Sequence, residues 1–433
     1  MTVMLPVRTP VYRPVWRLGA RHDDSLFSWE AGMGLPDLTF SRTSAATQTG
    51  DSLVEYASDV PRLSNGWLIE GGSTNEATNP RAEGATAGVI GSGGAWPTGW
   101  TGYGDTGLTA TIVHVSQDDG IDYIRVRLSG TTDGSTGFYA IAFLAAGELT
   151  GLSQNDPVSS AVFLRLVDDT DIDDVTQIVI DHNEQNSGPS YLSTNSSADF
   201  LPSLTSSFQR FRFANDTMDE ATVDSVQAQV GVGLNTSAAV DITFDIGVPT
   251  TEEAAHVSSP ILPAVSSPAA SDRTAEVAEY DFGAGVLASQ FSFLAEFSRP
   301  STVVPSGLDP RVVEFSNSAT DSASRIMLWV LNGGPLRVNA HNSGPQQASA
   351  FLGNIAADVT SKAAVTVDVT GATMRGSLDG ATVAMDSGGT FVQPRYMGIG
   401  QAVTANNHLY GTLRRLTVWK HSLSNAELQA LST

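Results

Sequence analysis

The chain of 433 residues contains no cysteine and only two lysines, Lys362 and Lys420. Without thiols, neither a disulfide framework nor a thiolate metal site can hold it, so stability has to come from packing or assembly. No stretch approaches the ~20 apolar residues of a membrane-spanning helix, and the first 25 residues lack the apolar core of a secretory leader. The expectation is no membrane insertion, and, if the protein works outside a cell, release by lysis or within a particle. Reactive signatures are missing as well. The seven histidines are scattered, with no His-Glu-x-x-His, no Gly-x-Ser-x-Gly and no phosphate-binding glycine loop. No catalytic residue, metal or cofactor is therefore expected. Positive charge is scarce, 23 Lys and Arg against 46 Asp and Glu for a net −23. Such a surface repels phosphate backbones, which argues against a nucleic-acid partner, and it suits salty surroundings in which screening lets carboxylates crowd.

What is present points to strands. The 41 glycines, the scattered prolines and many short runs of Val, Ile, Thr and Phe are the composition of sandwiches or barrels of short strands. Length predicts about two to four domains. The first 22 residues stand apart: Arg8, Arg13, Arg17 and Arg21 precede any acid, and Pro6, Pro10 and Pro14 forbid a continuous helix. With Tyr12 and Trp16 interleaved, this reads as an extended docking arm held by a partner; the alternative is a segment packed along its own first domain.

Residues 23–80 read as a small β-rich module, with strand-like pieces at 38–40, 53–56 and 67–69. Residues 81–250 offer eight short strand candidates, from Leu108 to Val115 through Val240 to Ile246, which predicts a two-sheet jelly roll. Alternation within Ile121–Leu128 slips at Ile124, the mark of a bulge. Pro260, Pro263 and Pro268 make 251–280 a stiff extended linker. Residues 281–433 form a second jelly roll. Its Ser377-Leu-Asp-Gly-Ala381 segment fits a type I′ hairpin, and Ser424 with Glu427 forms a capping box that starts a short final helix.

Three stretches carry candidate binding chemistry. Asp168, Asp169, Asp171, Asp173 and Asp174 superficially suit calcium, but Asp174 stands where the loop needs glycine and Ile180 where it needs the bidentate glutamate, so a solvated turn is expected. Trp96, Trp100 and Tyr103 cluster beside Asp105, and aromatic faces with nearby polar groups are the usual tools for sugars. Trp100 is expected in the core, while Trp96 and Tyr103 stay open between platform and core. In the last unit, Asn332, Arg337, His341, Asn342, Tyr396, Asn406 and Asn407 lie on loops or hairpins that can converge at one rim, with Trp329 and Trp419 expected in the core.

Several segments carry a resemblance. Thr39-Phe-Ser-Arg-Thr-Ser-Ala-Ala-Thr47, Asp59-Val-Pro-Arg62, Gly66-Trp-Leu-Ile-Glu-Gly71 and Thr74-Asn75 resemble a module near the front of phage tail-fibre and head-spike proteins, departing by Trp67 and by Gly71-Gly72-Ser73. Asn79-Pro-Arg-Ala-Glu-Gly-Ala85, Pro97-Thr-Gly-Trp100, Gly120-Ile-Asp-Tyr-Ile124 and Asp241-Ile-Thr-Phe-Asp-Ile-Gly247 resemble the carbohydrate-binding-module-like domain of the same proteins. Residues 411–431 are similar to the ending of laminin G-like, or concanavalin-like, jelly rolls. The resemblance implies an all-β chain of tandem antiparallel β-sandwiches after an extended arm, a virion-surface fibre or spike subunit that docks through its N-terminus on other virion proteins and binds host surface polysaccharide. A homotrimer is implied as the oligomer. Two rivals remain: a decoration protein without a host ligand, and a capsule-degrading hydrolase.

Overall fold

The computed structural model describes residues 25–31, 38–49, 52–63, 66–134, 137–168, 172–287, 289–301, 309–404 and 407–433. The docking arm with Arg8, Tyr12, Arg13, Trp16, Arg17 and Arg21 lies outside the described residues, as do Asp169, Asp171 and Asn406. The chain is all-β, built mainly of antiparallel sheets, and folds as two compact units.

The central unit takes residues 42–60 and 72–275. Its seven-stranded sheet runs in the order Gln209–Thr217, Pro157–Asp168, Ala239–Glu252, Ile121–Thr131, Leu108–Asp118, Gly88–Ile90, Gly93–Gly94. A five-stranded sheet faces it, ordered Tyr191–Ser196, Val175–Gln185, Ser225–Leu234, Phe138–Thr150, Thr101–Gly104. Alternation assigns the faces. Val226, Ala228, Val230, Val232 and Leu234 turn inward with Ile178, Ile180, Tyr139, Ile141 and Phe143, and they meet Ile124, Val126, Leu128, Ile242 and Phe244 of the other sheet. The slip at Ile124 is accommodated across the ladder: Ile112 pairs with Val126 and His114 with Arg125, so the extra residue is Val113 on the neighbouring strand. A buried polar group reaches across the sandwich. His182 Nδ1 lies 2.7 Å from Asp216 Oδ2 and its Nε2 2.8 Å from Ser160 Oγ. The trio has the order of a hydrolytic relay, but Ser160 and His182 are fully buried and Asp216 nearly so, so it ties one sheet to the other.

The C-terminal unit takes the described residues of 25–41, 61–71 and 276–433. One sheet follows the order Ser25–Glu30, Gly411–Trp419, Gln290–Ser298, Ser361–Asp368, Thr373–Leu378, Ala384–Ser387, with Trp67–Ile69 added beside Gly411–Trp419. The other is Thr39–Ser41, Val277–Asp281, Tyr396–Ile399, Arg311–Ser316, Arg325–Val330, Pro335–His341, Gln346–Asn354. Phe291, Phe293 and Phe297 alternate into the core against Phe315, Leu328 and Val338. Leu294, on the outer face, is covered by Trp419, Leu423 and Leu428, which seats the final helix Asn425–Leu431 on the sheet. That helix has its capping box: Glu427 N–H donates to Ser424 Oγ at 3.3 Å and Ser424 N–H to Glu427 Oε2 at 2.7 Å. Asp379 and Gly380 both take positive φ, 47° and 72°, as the expected hairpin requires.

Residues 23–80, expected as a module of their own, are divided between the units. Strands 25–30, 39–41 and 67–69 complete sheets of the C-terminal unit, while Ala46–Thr49 and Leu53–Tyr56 pair within the central one. Strands of three to six residues cannot bury a core alone, so 25–30, 39–41 and 67–69 add to larger sheets, while 46–49 and 53–56 form a two-stranded ribbon. The motif arginines organise turns. Arg42 donates to the carbonyls of Ser44, Ala57 and Val60 at 2.9, 2.7 and 3.0 Å. Arg62, fully buried, pairs with Glu70 and Glu276 at 2.8 Å each. Burial works against its charge, but the two carboxylates more than offset this and leave its pKa raised. The 251–280 stretch also differs from a free spacer. Residues 256–261 are buried in the central unit, where Asn75 Nδ2 holds the carbonyls of Pro249 and Ile261 at 3.1 Å each.

Candidate functional site

The outward face of the five-stranded sheet is a trough. Where Val226, Ala228, Val230 and Val232 turn inward, Gln227, Gln229, Gly231 and Gly233 turn outward. The same parity puts Gln177, Asp181 and Asn183 outward on Val175–Gln185, Phe138, Ala140 and Ala142 outward on Phe138–Thr150, and Tyr103 outward on Thr101–Gly104. Register then aligns the rows: Tyr103 pairs with Ala140, Ala140 with Gly231 and Gly231 with Val179. At Ala140 and Gly231 this row therefore carries only a methyl and a hydrogen, with the larger Tyr103 and Val179 on either side. A cleft of about 360 Å³ results, lined by Tyr103, Phe138, Asp181, Asn183, Tyr191 and Gln229 among others. That volume lies within the range of small-ligand sites.

Gly231 is what keeps the floor low. A Cβ there would press on Asp181 Oδ2 and stand 3.0 Å from the Phe138 ring. Above this floor the Tyr103 ring lies across strand 138–150, because its hydroxyl reaches the amide oxygens of Gln227 (3.0 Å) and Gln229 two strands away. Asn183 Nδ2 donates to the same hydroxyl at 3.2 Å and to Gln227 Oε1 at 3.1 Å. Thr194 Oγ1 donates to Asn183 Oδ1 at 2.6 Å, and Ser196 Oγ to Asp181 Oδ1 at 2.6 Å. Gln229 Nε2 donates to Asp181 Oδ2 at 3.3 Å. These cross-strand bonds fix the polar groups in place before any ligand arrives. Burial pushes the Tyr103 phenol up, against the pull of its bonds to Asn183 and Gln229, so it stays a neutral hydroxyl at ordinary pH. Tyr103 is 40% exposed and Tyr191, on the opposite edge strand, 64% exposed, which leaves two rings accessible across the trough.

Among the sequence candidates, Tyr103 is in the trough and its neighbours are not. Trp96 packs on the inner side of the strand, where a Cβ at Gly102 would meet its ring at 2.5 Å. Trp100 is buried against Phe143, as expected, with its indole N–H on the Thr78 carbonyl at 3.0 Å. Asp105, 2% exposed, accepts the backbone N–H groups of Gly107 at 2.8 Å and Asp133 at 3.0 Å, and so serves a turn. In the acidic stretch, Ile172–Asp174 forms a single 3₁₀ turn.

The C-terminal candidates do not gather. Asn332 lies in the turn before strand 335–341 and His341 with Asn342 at its far end, roughly 20 Å away at ~3.3 Å per residue. Asn407 sits near the end of Arg311–Ser316, accepting from Asp309 N–H at 3.0 Å, while Tyr396 pairs with Ser316 at the other end. Arg337 is mid-strand, in a row that runs Arg311, Trp329, Arg337, Phe351 across four strands. Trp419 is core, but Trp329 is not: Ile326, Leu328 and Val330 hold the inward positions, and Trp329 lies outside beneath the Arg311 guanidinium, 5.2 Å from its ring centroid. The residues missed were Asp181, Asn183, Tyr191, Gln227 and Gln229. The alternation Gln227, Gln229, Gly231, Gly233 was their visible signal.

No family model matches the chain, and no curated protein matches it significantly. Among solved structures, it is similar to the CBM40 module of a Ruminococcus gnavus IT-sialidase bound to α2,3-sialyllactose, at 16% identity over 36% of this chain and 93% of that one, TM-score 0.30. Mouse laminin α1 domains LG4-5 align at 12% identity over 69% of this chain and 92% of that one, TM-score 0.24. Trypanosoma rangeli sialidase aligns at 11% identity over 75% and 66%, TM-score 0.27. At these scores the likeness bears on neither ligand nor activity.

Proposed function

We propose that the central unit is a glycan-binding module and that the trough over Gly231 and Gly233 is its site. The observation that supports this is the combination of accessible tyrosines at the sides with fixed amide, hydroxyl and carboxylate groups between them. Tyr faces suit the C–H faces of sugar rings, and convergent Asn, Gln, Asp, Thr and Ser side chains suit hydroxyls. The chain acts by adhesion, without chemistry on the bound sugar. The wider role follows from the resemblance of the 39–75, 79–124 and 241–247 motifs: a fibre or spike subunit of a phage or phage-like particle, docked through residues 1–22, grouped as a homotrimer and directed at host surface polysaccharide. Many copies would multiply weak single contacts into firm attachment.

The test is calorimetric titration of oligosaccharides selected on a glycan array, with wild type, Tyr103→Ala and Asn183→Ala. Each variant should lose at least about tenfold in affinity, or ~1.4 kcal/mol. Unchanged binding in both would remove the trough as the site. For the wider role, deletion of residues 1–22 should abolish incorporation into particles while sparing glycan binding; normal incorporation would reject the docking arm.

A further inference from the structure

The trough is charged in one sense only. Asp181 sits in it, 3% exposed, and the residues that line it include no Arg, Lys or His. This extends to the whole sheet: the strands Thr101–Gly104, Phe138–Thr150, Val175–Gln185, Tyr191–Ser196 and Ser225–Leu234 contain no lysine or arginine, and their single histidine, His182, points into the sandwich. Five of the unit's eight arginines, Arg125, Arg127, Arg165, Arg210 and Arg212, stand on the opposite sheet; Arg42, Arg81 and Arg273 lie outside both. Arg125 and Arg165 are held there by Asp245, and Arg127 by Asp241. No cation of the described sheet is placed to receive a sugar carboxylate, and Asp181 repels one.

We propose that the trough selects uncharged oligosaccharides and rejects those bearing sialate, uronate or sulfate, with Asp181 as the determinant. This rests on the trough being the glycan site. Asp181 accepts one bond from Ser196 and one from Gln229, and a carboxylate has about four acceptor positions, so two remain for sugar hydroxyls. Hydroxyl donors satisfy them. An acidic group at the same place brings a like charge into a partly desolvated cleft, where the interaction is stronger than in bulk water. The acidity of residues 72–275, with 26 Asp and Glu against seven Arg and no Lys, adds a long-range term of the same sign.

The experiment is an array of matched oligosaccharides, each neutral chain printed beside the same chain carrying a sialate, uronate or sulfate. It is read with the full chain, Asp181→Asn and Tyr103→Ala. The neutral members should bind and their acidic counterparts should be at least about tenfold weaker at low salt. That gap should narrow in Asp181→Asn, and in wild type near 1 M salt, where the screening length is ~3 Å. Acidic members bound as well as neutral ones, with Tyr103→Ala losing both, would overturn the selectivity and leave the trough as the site. A gap that Asp181→Asn leaves unchanged would overturn Asp181 as the determinant. Absence of binding, or binding indifferent to Tyr103→Ala, would overturn the site itself and the selectivity with it.

Discussion

The five-stranded sheet of the central unit and the Trp329-bearing sheet of the C-terminal unit each turn one face away from their core, and they furnish it differently. On the first, Ala140, Ala142, Gly231 and Gly233 keep part of the outward face low, and the polar side chains stand around that hollow. On the second, the row Arg311, Trp329, Arg337, Phe351 fills the surface with stacked side chains, Arg337 lying over Phe351 at 5.6 Å. Strand pairing alone makes neither a site nor a wall; the size of the outward side chains in the middle strands decides. Charge follows the same division. Residues 72–275 carry 26 acids and seven bases, whereas 281–433 carry ten of each. The C-terminal unit uses arginine inside its own fabric, as Arg62 with Glu70 and Glu276, and Arg311 with Glu314 at 3.1 Å.

The largest effect should come from breaking that fabric. Arg62→Ala removes the guanidinium from between two buried carboxylates, and removing one partner of a buried ionic group costs about 3–5 kcal/mol. Hydrogen exchange should show lost protection in strand 411–419, against which 67–69 is paired, and retained protection in strand 225–234. Equal loss in both strands would contradict the assignment of the Arg62 cluster to the C-terminal unit.

The next effect concerns the hollow. Gly231→Leu puts a side chain against Asp181 and Phe138, so neutral-glycan affinity should fall by more than about tenfold while the fold persists, checked by circular dichroism and titration. The matching change on the filled face, Phe351→Ala, should leave that affinity within about twofold. If Phe351→Ala weakened binding as much as Gly231→Leu, the ligand would lie on the C-terminal unit and the contrast between the faces would be wrong.

Local devices were legible in the sequence. The Ser424–Glu427 box and the Asp379-Gly380 hairpin depend on neighbours a few residues away, and the all-β class depends on alternation summed over many short runs. Destinations were harder to read. Strands 25–30 and 67–69 look like parts of a module because they lie close in sequence, yet both pair with 411–419, and nothing local encodes a partner so far along the chain. The trough was legible in fragments for the same reason. Tyr103 stood out as an aromatic among glycines, whereas Asp181 and Asn183 on one strand and Gln229 on its neighbour come together on a face set by register. Asp105 and Trp96, adjacent to Tyr103 in sequence, were drawn in by proximity, although Asp105 follows the end of the strand and Trp96 packs behind it. Trp329 was misplaced by parity: one residue either way exchanges core for solvent.

The smallest effect should be at Arg395 and Asp281, an exposed pair at the edge of the Trp329-bearing sheet, 2.7 Å apart. The bond from Arg395 holds the Asp281 carboxyl down to about 2. A carboxylate with a folded-state pKa depressed below its unfolded value of ~3.9 adds stability above that value, and the contribution disappears as pH falls through about 2. The sign is therefore stabilising at neutral pH. Both side chains are well exposed, however, and solvent screens such pairs almost completely. Arg395→Gln should accordingly lower the melting temperature at pH 7 by no more than about 1–2 °C, and the difference should shrink toward pH 2 and in high salt. Set beside Arg62→Ala, this contrasts a buried arginine between two carboxylates with an exposed one on a single carboxylate, at nearly the same distances. A loss at pH 7 comparable with that of Arg62→Ala, undiminished by salt, would mean that distance rather than burial governs the arginines of this unit.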